Sequence, residues 1–124
     1  MGSEGLHEPL GMLDESALDY HRAMQSLCEE LEAVDWYNQR AKATSDASLA
    51  AILEHNRDEE KEHAVMLLEW LRRHDAVLDK NLRTYLFTTL ALTDIEHAAE
   101  AGGSEQTNAS PGSLGIGALK NGEQ

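Results

Sequence analysis

The chain is 124 residues long, the size of one small domain, and carries 23 acidic against 10 basic residues for a net charge of −13. That balance excludes a nucleic-acid binder, which needs a basic face, and no apolar run approaches the roughly 20 residues that span a membrane. The single cysteine, Cys28, allows no internal disulfide and fits a reducing compartment. Nothing between Met1 and Asp14 resembles a leader peptide, so the expected setting is soluble and cytoplasmic.

Residues 1–12 contain Gly and Pro and are expected to form a flexible N-terminal arm. Glu4 and His7 stand three apart in it, but next to Gly5 and Pro9 no helix holds them in register, and the pair reads as chance. Asp14 is placed to cap a first helix, with Glu15 favourable in its first turn. Leu13, Ala17, Tyr20, Met24, Leu27, Leu31 and Val34 then recur in steps of four and three, which predicts an amphipathic helix reaching about Ala43. Cys28 falls within it and reads as a small buried apolar residue. Thr44-Ser45-Asp46 is a turn, and Asp46 is the expected cap of a second helix that runs to about His74. Asp75 is the cap of a shorter third helix, about 76–87, bearing Val77, Leu78, Leu82, Tyr85 and Leu86. No strand-like alternation of any length is present. The fold class is therefore all-α: two long helices, each on the order of 40 Å at 1.5 Å per residue, form an antiparallel hairpin followed by a short third helix.

The second helix carries the chemistry. Its stripe of Leu49, Leu53, Asn56, Glu60, His63, Leu67, Trp70 and His74 again follows steps of four and three, the spacing of an inward bundle seam. Apolar residues hold the ends of this seam and Asn, Glu and His its middle. Glu60 and His63 form a Glu-x-x-His pair, whose members share a helix face about one turn apart. A carboxylate in an apolar seam is costly unless it is paired or bound to a metal, which points to a metal site rather than a chance pair on an exposed charged helix.

A two-helix hairpin cannot enclose its own apolar faces, and a second copy is the simplest partner. Two hairpins related by a twofold axis make a four-helix bundle. Di-iron carboxylate bundles take a Glu from each of two helices and a Glu-x-x-His from each of the other two. One chain here offers Glu29, Glu30 and Glu32 on the first helix, beside seam residues Leu27 and Leu31, and one Glu-x-x-His on the second. That is half of such a site, and spacing alone does not choose among the three glutamates. Dimerisation would complete it on the symmetry axis, leaving the monomer inactive.

Residues 88–111 lose the helical pattern. Leu90, Leu92 and Ile95 allow a frayed extension, and the following Gly, Ser, Glu and Asn suit a flexible linker. In residues 112–120, Leu114, Ile116 and Leu119 reappear among small residues, the pattern of an extended docking peptide rather than a plain tail.

The runs Glu29-Glu30-Leu31-Glu32-Ala33-Val34-Asp35-Trp36-Tyr37 and His55-Asn56-Arg57-Asp58-Glu59-Glu60-Lys61-Glu62-His63 closely resemble the encapsulated ferritins. The resemblance extends over His7-Glu8-Pro9-Leu10, Glu69-Trp70-Leu71-Arg72-Arg73 and Arg83-Thr84-Tyr85-Leu86-Phe87, and so covers residues 7–88. Residues 13–87 are accordingly read as the ferritin-like domain. The Gly-Ser-Leu-Gly-Ile-Gly segment resembles the peptides that load cargo into encapsulin shells. The resemblance implies a ferroxidase centre shared between two chains, with Glu30, Glu60 and His63 of each binding a pair of irons and Tyr37 close by. It selects Glu30 from its neighbours. It also implies a metal entry site at Glu29 and Glu32 near Trp36, and a peripheral site at His55, Glu59 and Glu62, for which a solvated acidic face is an equal reading. The implied assembly is a ring of dimers, commonly a decamer.

The function read from these features is oxidation of Fe2+ to Fe3+ at a shared di-iron site. The protein would be docked through residues 112–120 in the lumen of an encapsulin nanocompartment, where the product can accumulate. Iron is both substrate and cofactor in this reading. Two alternatives stand beside it: a di-iron protein that reduces peroxide, and a non-enzymatic helical adaptor bridged by metal.

Overall fold

The computed structural model describes residues 5–102. After a 3-10 turn at Leu10–Met12 come α1 (Glu15–Ala43), α2 (Ala47–Arg73), α3 (Ala76–Tyr85) and α4 (Leu92–Ala101), and there is no strand among the described residues. Two compact units are present, one ending at Asp79 and the other beginning at Lys80.

Helix boundaries follow the caps. The Ala17 amide donates to Asp14 Oδ1 at 2.8 Å and the Leu49 amide to Asp46 Oδ1 at 3.0 Å, so each long helix starts with a side chain accepting one of its orphan amides. The Asp46 carboxyl is held below its usual range chiefly by that Leu49 amide. Thr44 ends α1 in extended conformation, and only Ser45 separates it from the next cap, so α2 returns antiparallel along α1. The Leu78 amide donates to Asp75 Oδ1 at 3.0 Å at the start of α3. The third helix stops at Tyr85, two residues short of expectation, because Phe87 takes a positive φ of 61° that no helix can continue.

The hairpin closes along Ala23, Ala41, Ala64 and Leu71, the buried apolar residues among those described. Three of the four are alanines, which let two helix backbones approach closely, and Leu71 is the one large side chain fully enclosed, at 1% exposure. Here the expected seam is corrected. Met24 and Leu31, assigned to the inward face of α1, are exposed at 40% and 54%, and Leu49 and Trp70 of α2 are also exposed. The observed contact faces keep Leu27 and Val34 of α1 and Leu53 and Glu60 of α2 from the expected seams, but are otherwise made by neighbouring positions, Ala23, Glu30 and Ala41 of α1 and Arg57, Ala64 and Leu71 of α2. Adjacent positions differ by about 100° around a helix. Each long helix therefore bears two apolar stripes, one spent on the hairpin and one uncovered. On α2 the uncovered stripe is Leu49, Ile52, Met66 and Trp70.

A polar corner fixes the entry into α3. The Tyr20 hydroxyl of α1 donates to Asp75 Oδ2 at 2.6 Å, so one carboxylate both caps α3 and ties it to α1. Arg72 grips Glu69 with two parallel bonds of 2.7 and 2.8 Å and also donates to Asp79, while Arg73 Nε adds a 2.7 Å bond to Glu69. Residues 92–101, expected within a linker at 88–111, form α4. Its short run of Ala, Leu, Ile and Glu has good intrinsic helix propensity, which outweighs the weak periodicity. Residues 103–111 and the expected docking peptide at 112–120 lie outside the described residues.

Two outcomes test this packing. Leu71→Ala removes the one enclosed large side chain and should cost about 3 kcal/mol in urea unfolding. The guanidinia of Arg72 and Arg73 depress the Glu69 carboxyl from 4.5 to about 2. A depressed carboxylate contributes stability that is present above its unfolded value and is lost as pH falls through the folded one. Melting temperature should therefore drop between pH 4.5 and about 2, and Glu69→Gln should flatten that limb while lowering stability at neutral pH. An unchanged acid limb in the variant would remove Glu69 from the account.

Candidate metal centre

Three side chains that can ligate a metal meet across the hairpin seam. Glu30 comes from α1; Glu60 and His63 come from α2, one turn apart on one face. Their ligand atoms all lie within 4.8 Å of one another, and no other group of three such residues does so among the described residues. His63 Nδ1 is 3.0 Å from Glu60 Oε1 and 3.6 Å from Glu30 Oε1, so Nδ1 is the ring nitrogen turned toward both carboxylates. The side chains are 27%, 24% and 44% exposed for Glu30, Glu60 and His63. The two glutamates sit in the seam, whereas His63 sits on the uncovered stripe of α2 between Ile52 and Met66.

The electrostatics are those of crowded acids with one base. Glu30 is raised above its usual value, first by its hydrogen bond with Glu60, then by burial and by the Glu60 charge. Glu60 is lowered, first by the same bond with Glu30 and next by its bond with His63. His63 is raised by its hydrogen bond with Glu60 and by the charges of Glu60 and Glu30. In the absence of a cation the crowding strengthens proton binding instead, at Glu30 against Glu60 and at His63 against both carboxylates. Two carboxylate oxygens and an imidazole nitrogen form a donor set that suits iron, manganese or zinc. Three donors leave coordination positions to be filled from outside the chain.

The remaining expected site residues are placed differently. Tyr37 is half-buried, one position from the seam, and its ring lies under the Arg40 guanidinium at 5.5 Å. Trp36, Gln39 and Arg40 line a shallow depression of about 340 Å³. Glu29, Glu32 and Trp36 are all exposed. His55, Glu59 and Glu62 are exposed too and are not drawn together. The sequence reading missed Arg57, having given its seam place to Asn56. Arg57 crosses the hairpin, with Nη1 donating to Asn38 Oδ1 at 2.9 Å and Nε to Asp58 Oδ1 at 3.0 Å. The signal was available in the one-residue offset of the buried alanines.

Comparison with known proteins places the chain in a family. Residues 5–89 match the family described as EncFtn-like. An encapsulated ferritin-like protein of Rhodospirillum rubrum is 55% identical over 125 residues, which cover 95% of this chain and 89% of that protein. A ferritin-like protein of Thermotoga maritima is 54% identical over 110 residues, covering 89% of this chain and 93% of its own. The crystal structure of a Nitrosomonas europaea protein superposes with a TM-score of 0.69 at 59% identity, over 71% of this chain and 97% of its own.

A metal entering among Glu30, Glu60 and His63 must displace the protons held there. Both Glu30 and His63 hold theirs above the ordinary values, 4.5 and 6.5. Co2+ binding should therefore release protons to the buffer. Its affinity should keep rising past pH 6.5, by about tenfold per pH unit for each proton displaced, levelling only above the folded value of His63. Titration by Co2+ absorbance across pH 5.5 to 8 in two buffers of different ionisation heat reads both; pH-independent binding would mean the metal sits elsewhere.

Proposed function

The chain belongs to the EncFtn-like family, and we propose that it is a ferroxidase, oxidising Fe2+ to Fe3+ at a di-iron centre completed by a second copy of itself. The observation that carries this reading is the convergence of Glu30, Glu60 and His63 into an open half-site beside the uncovered stripe of α2. A second hairpin laid over Leu49, Ile52, Met66 and Trp70 would cover that stripe and bring its own Glu30, Glu60 and His63 to the same axis. The donors fit the substrate: carboxylates are hard ligands that favour the ferric product, and imidazole binds ferrous and ferric iron alike.

The chain's residues divide the work. Glu30 and Glu60, already in hydrogen-bond contact, give up their shared proton and hold the two Fe2+ ions close together, and His63 Nδ1 supplies one nitrogen per subunit. Each Fe2+ gives one electron to an external oxidant, dioxygen or peroxide, which takes the positions the three protein donors leave open. Tyr37, half-buried next to the seam, would border the completed centre. Exposed Glu29 and Glu32, with Trp36, serve as an acidic approach for incoming Fe2+, and His55, Glu59 and Glu62 as an outer attraction site. The named relative from Rhodospirillum rubrum supports placement in an encapsulin lumen. There, residues 112–120 would dock on the shell protein and a ring of dimers, ten chains in the family's common form, would deliver ferric iron for storage.

Glu60→Ala and His63→Ala should each lower Fe2+ oxidation by more than tenfold (~10-fold is the usual floor for metal-site losses) while helix content by circular dichroism stays near wild type. Ferric absorbance after air is admitted to Fe2+-loaded protein should appear in the dimer or larger fractions and not in the monomer. Wild-type rates in both variants would sink the assignment. Peroxide consumption with a reductant and little net ferric product would instead select the peroxide-reducing reading.

A further inference from the structure

The Arg57–Asn38 bond remains unexplained by ligation, and it stands next to the centre. Arg57 is a cation set into the hairpin seam, with its side chain only 18% exposed. It lies one turn from Glu60 on the same face of α2, in the row Leu53, Arg57, Glu60, Ala64. An arginine at such a position has to leave most of its hydration behind, which is unfavourable unless its donors are directed. They are: Nη1 reaches across to Asn38 Oδ1 on α1 at 2.9 Å, and Nε is held on its own helix by Asp58 Oδ1 at 3.0 Å. The Asp58 bond orients the guanidinium, and the Asn38 bond uses that orientation to grip the opposite helix.

A second cross-helix bond sits at the far end, from Tyr20 to Asp75. The two bonds bracket the centre: Asn38 of α1 is tied to Arg57 of α2, and Tyr20 of α1 to Asp75, just beyond the end of α2. Glu30 lies between them on α1, and its carboxylate meets Glu60 and His63 of α2. The seam around the centre has little else to set the register of α1 against α2. Its buried residues are mostly alanines, which are smooth and tolerate sliding.

We infer that Arg57 is a positioning residue for the metal centre: by clasping Asn38 it fixes the axial and rotational register of α1 against α2, and so the distance at which Glu30 meets Glu60 and His63. The inference rests on the proposed metal centre but assigns a role to residues that touch no ligand atom of it. It separates the two ends of the hairpin. The Asn38 clasp governs ligand geometry, since it lies within one turn of Glu60. The Tyr20 clasp, whose Asp75 lies beyond the end of α2, governs only the stability of the α2–α3 corner.

The experiment uses the full chain and Co2+ as probe, with thermal unfolding and helix content measured on the same samples. Arg57→Met and Asn38→Ala should each weaken Co2+ binding by about tenfold, the usual effect of losing a group that orients a ligand, and should alter the Co2+ d–d spectrum. The double variant should bind no worse than the weaker single one, because both changes remove one bond. Arg57→Lys, which keeps a donor of similar reach, should recover part of the loss. Tyr20→Phe should lower the melting temperature and leave Co2+ affinity within twofold of wild type. Wild-type affinity in Arg57→Met and Asn38→Ala would overturn the inference. So would an equal loss in Tyr20→Phe, which would make the effect one of general loosening. If the wild-type chain itself bound no Co2+, the metal centre would fail, and the role of Arg57 with it, an outcome distinct from the other two.

Discussion

Two carboxylates in direct contact inside a helix seam are the constraint on which this hairpin turns. Packed apolar residues would have made the α1–α2 contact more stable than Glu30 against Glu60 does. The crowding is eased by proton affinity: contact with Glu60 raises the Glu30 carboxyl above its usual range, and the bond with Glu60 raises the His63 imidazole. Protons are a poor substitute for a divalent cation here. A proton joins one oxygen to another, whereas a metal ion can meet both carboxylates and Nδ1 at once and needs no desolvated charge left over. The seam is thus destabilised in the way that functional sites commonly are, with its cost carried by the surrounding packing.

That packing is thin, and its thinness has a consequence. With Ala23, Ala41 and Ala64 in the contact, α1 and α2 come close together but enclose little apolar surface. The large apolar side chains that remain, Leu49, Ile52, Met66 and Trp70 on α2 and Met24 and Leu31 on α1, lie about a quarter-turn away from the contact. A hairpin built to stand alone would have placed these groups inside and the alanines outside. The polar corner compensates in part. Asp75 serves as cap and as acceptor for Tyr20, and Glu69 holds two arginines, so the end of the hairpin is fastened by directed bonds rather than by burial.

The caps and helices were legible in the sequence because their causes are local. Asp14, Asp46 and Asp75 each accept the amide three residues on, as their spacing required. The Glu60–His63 pair was legible because three residues always share a helix face. Register was not. A helix with two apolar stripes satisfies steps of four and three along either of them, and in this chain the larger side chains mark the uncovered stripe. Reading size as burial put Met24, Leu31, Leu49 and Trp70 inside and hid Arg57 behind Asn56. The choice of Glu30 over Glu29 and Glu32 needed a partner helix, which no single-helix pattern contains; it came from family resemblance. The fourth helix was legible only as a frayed extension on Leu90, Leu92 and Ile95, because ten residues offer too few turns for periodicity to show, and propensity decided the outcome.

Site and assembly are then coupled by simple thermodynamics under the proposed function. If half of the donors come from each chain, metal binds the dimer far better than the monomer, and every factor by which dimerisation tightens metal binding returns as the same factor by which metal tightens the dimer. The uncovered stripe supplies attraction that does not depend on metal, through apolar burial. The carboxylates oppose it, since bringing two copies together without a cation would face four glutamates across one axis. In the proposed dimer, apolar contact and the crowding of acids would therefore act in opposition, and a bound cation would tip the balance. A hairpin with a better-filled seam would lose this dependence, because it would have neither the stripe to recruit a partner nor the repulsion that makes recruitment wait for metal. The sparse alanine contact is in this sense as much a part of the site as its ligands. It leaves the large apolar groups uncovered, where the proposed second copy would lie.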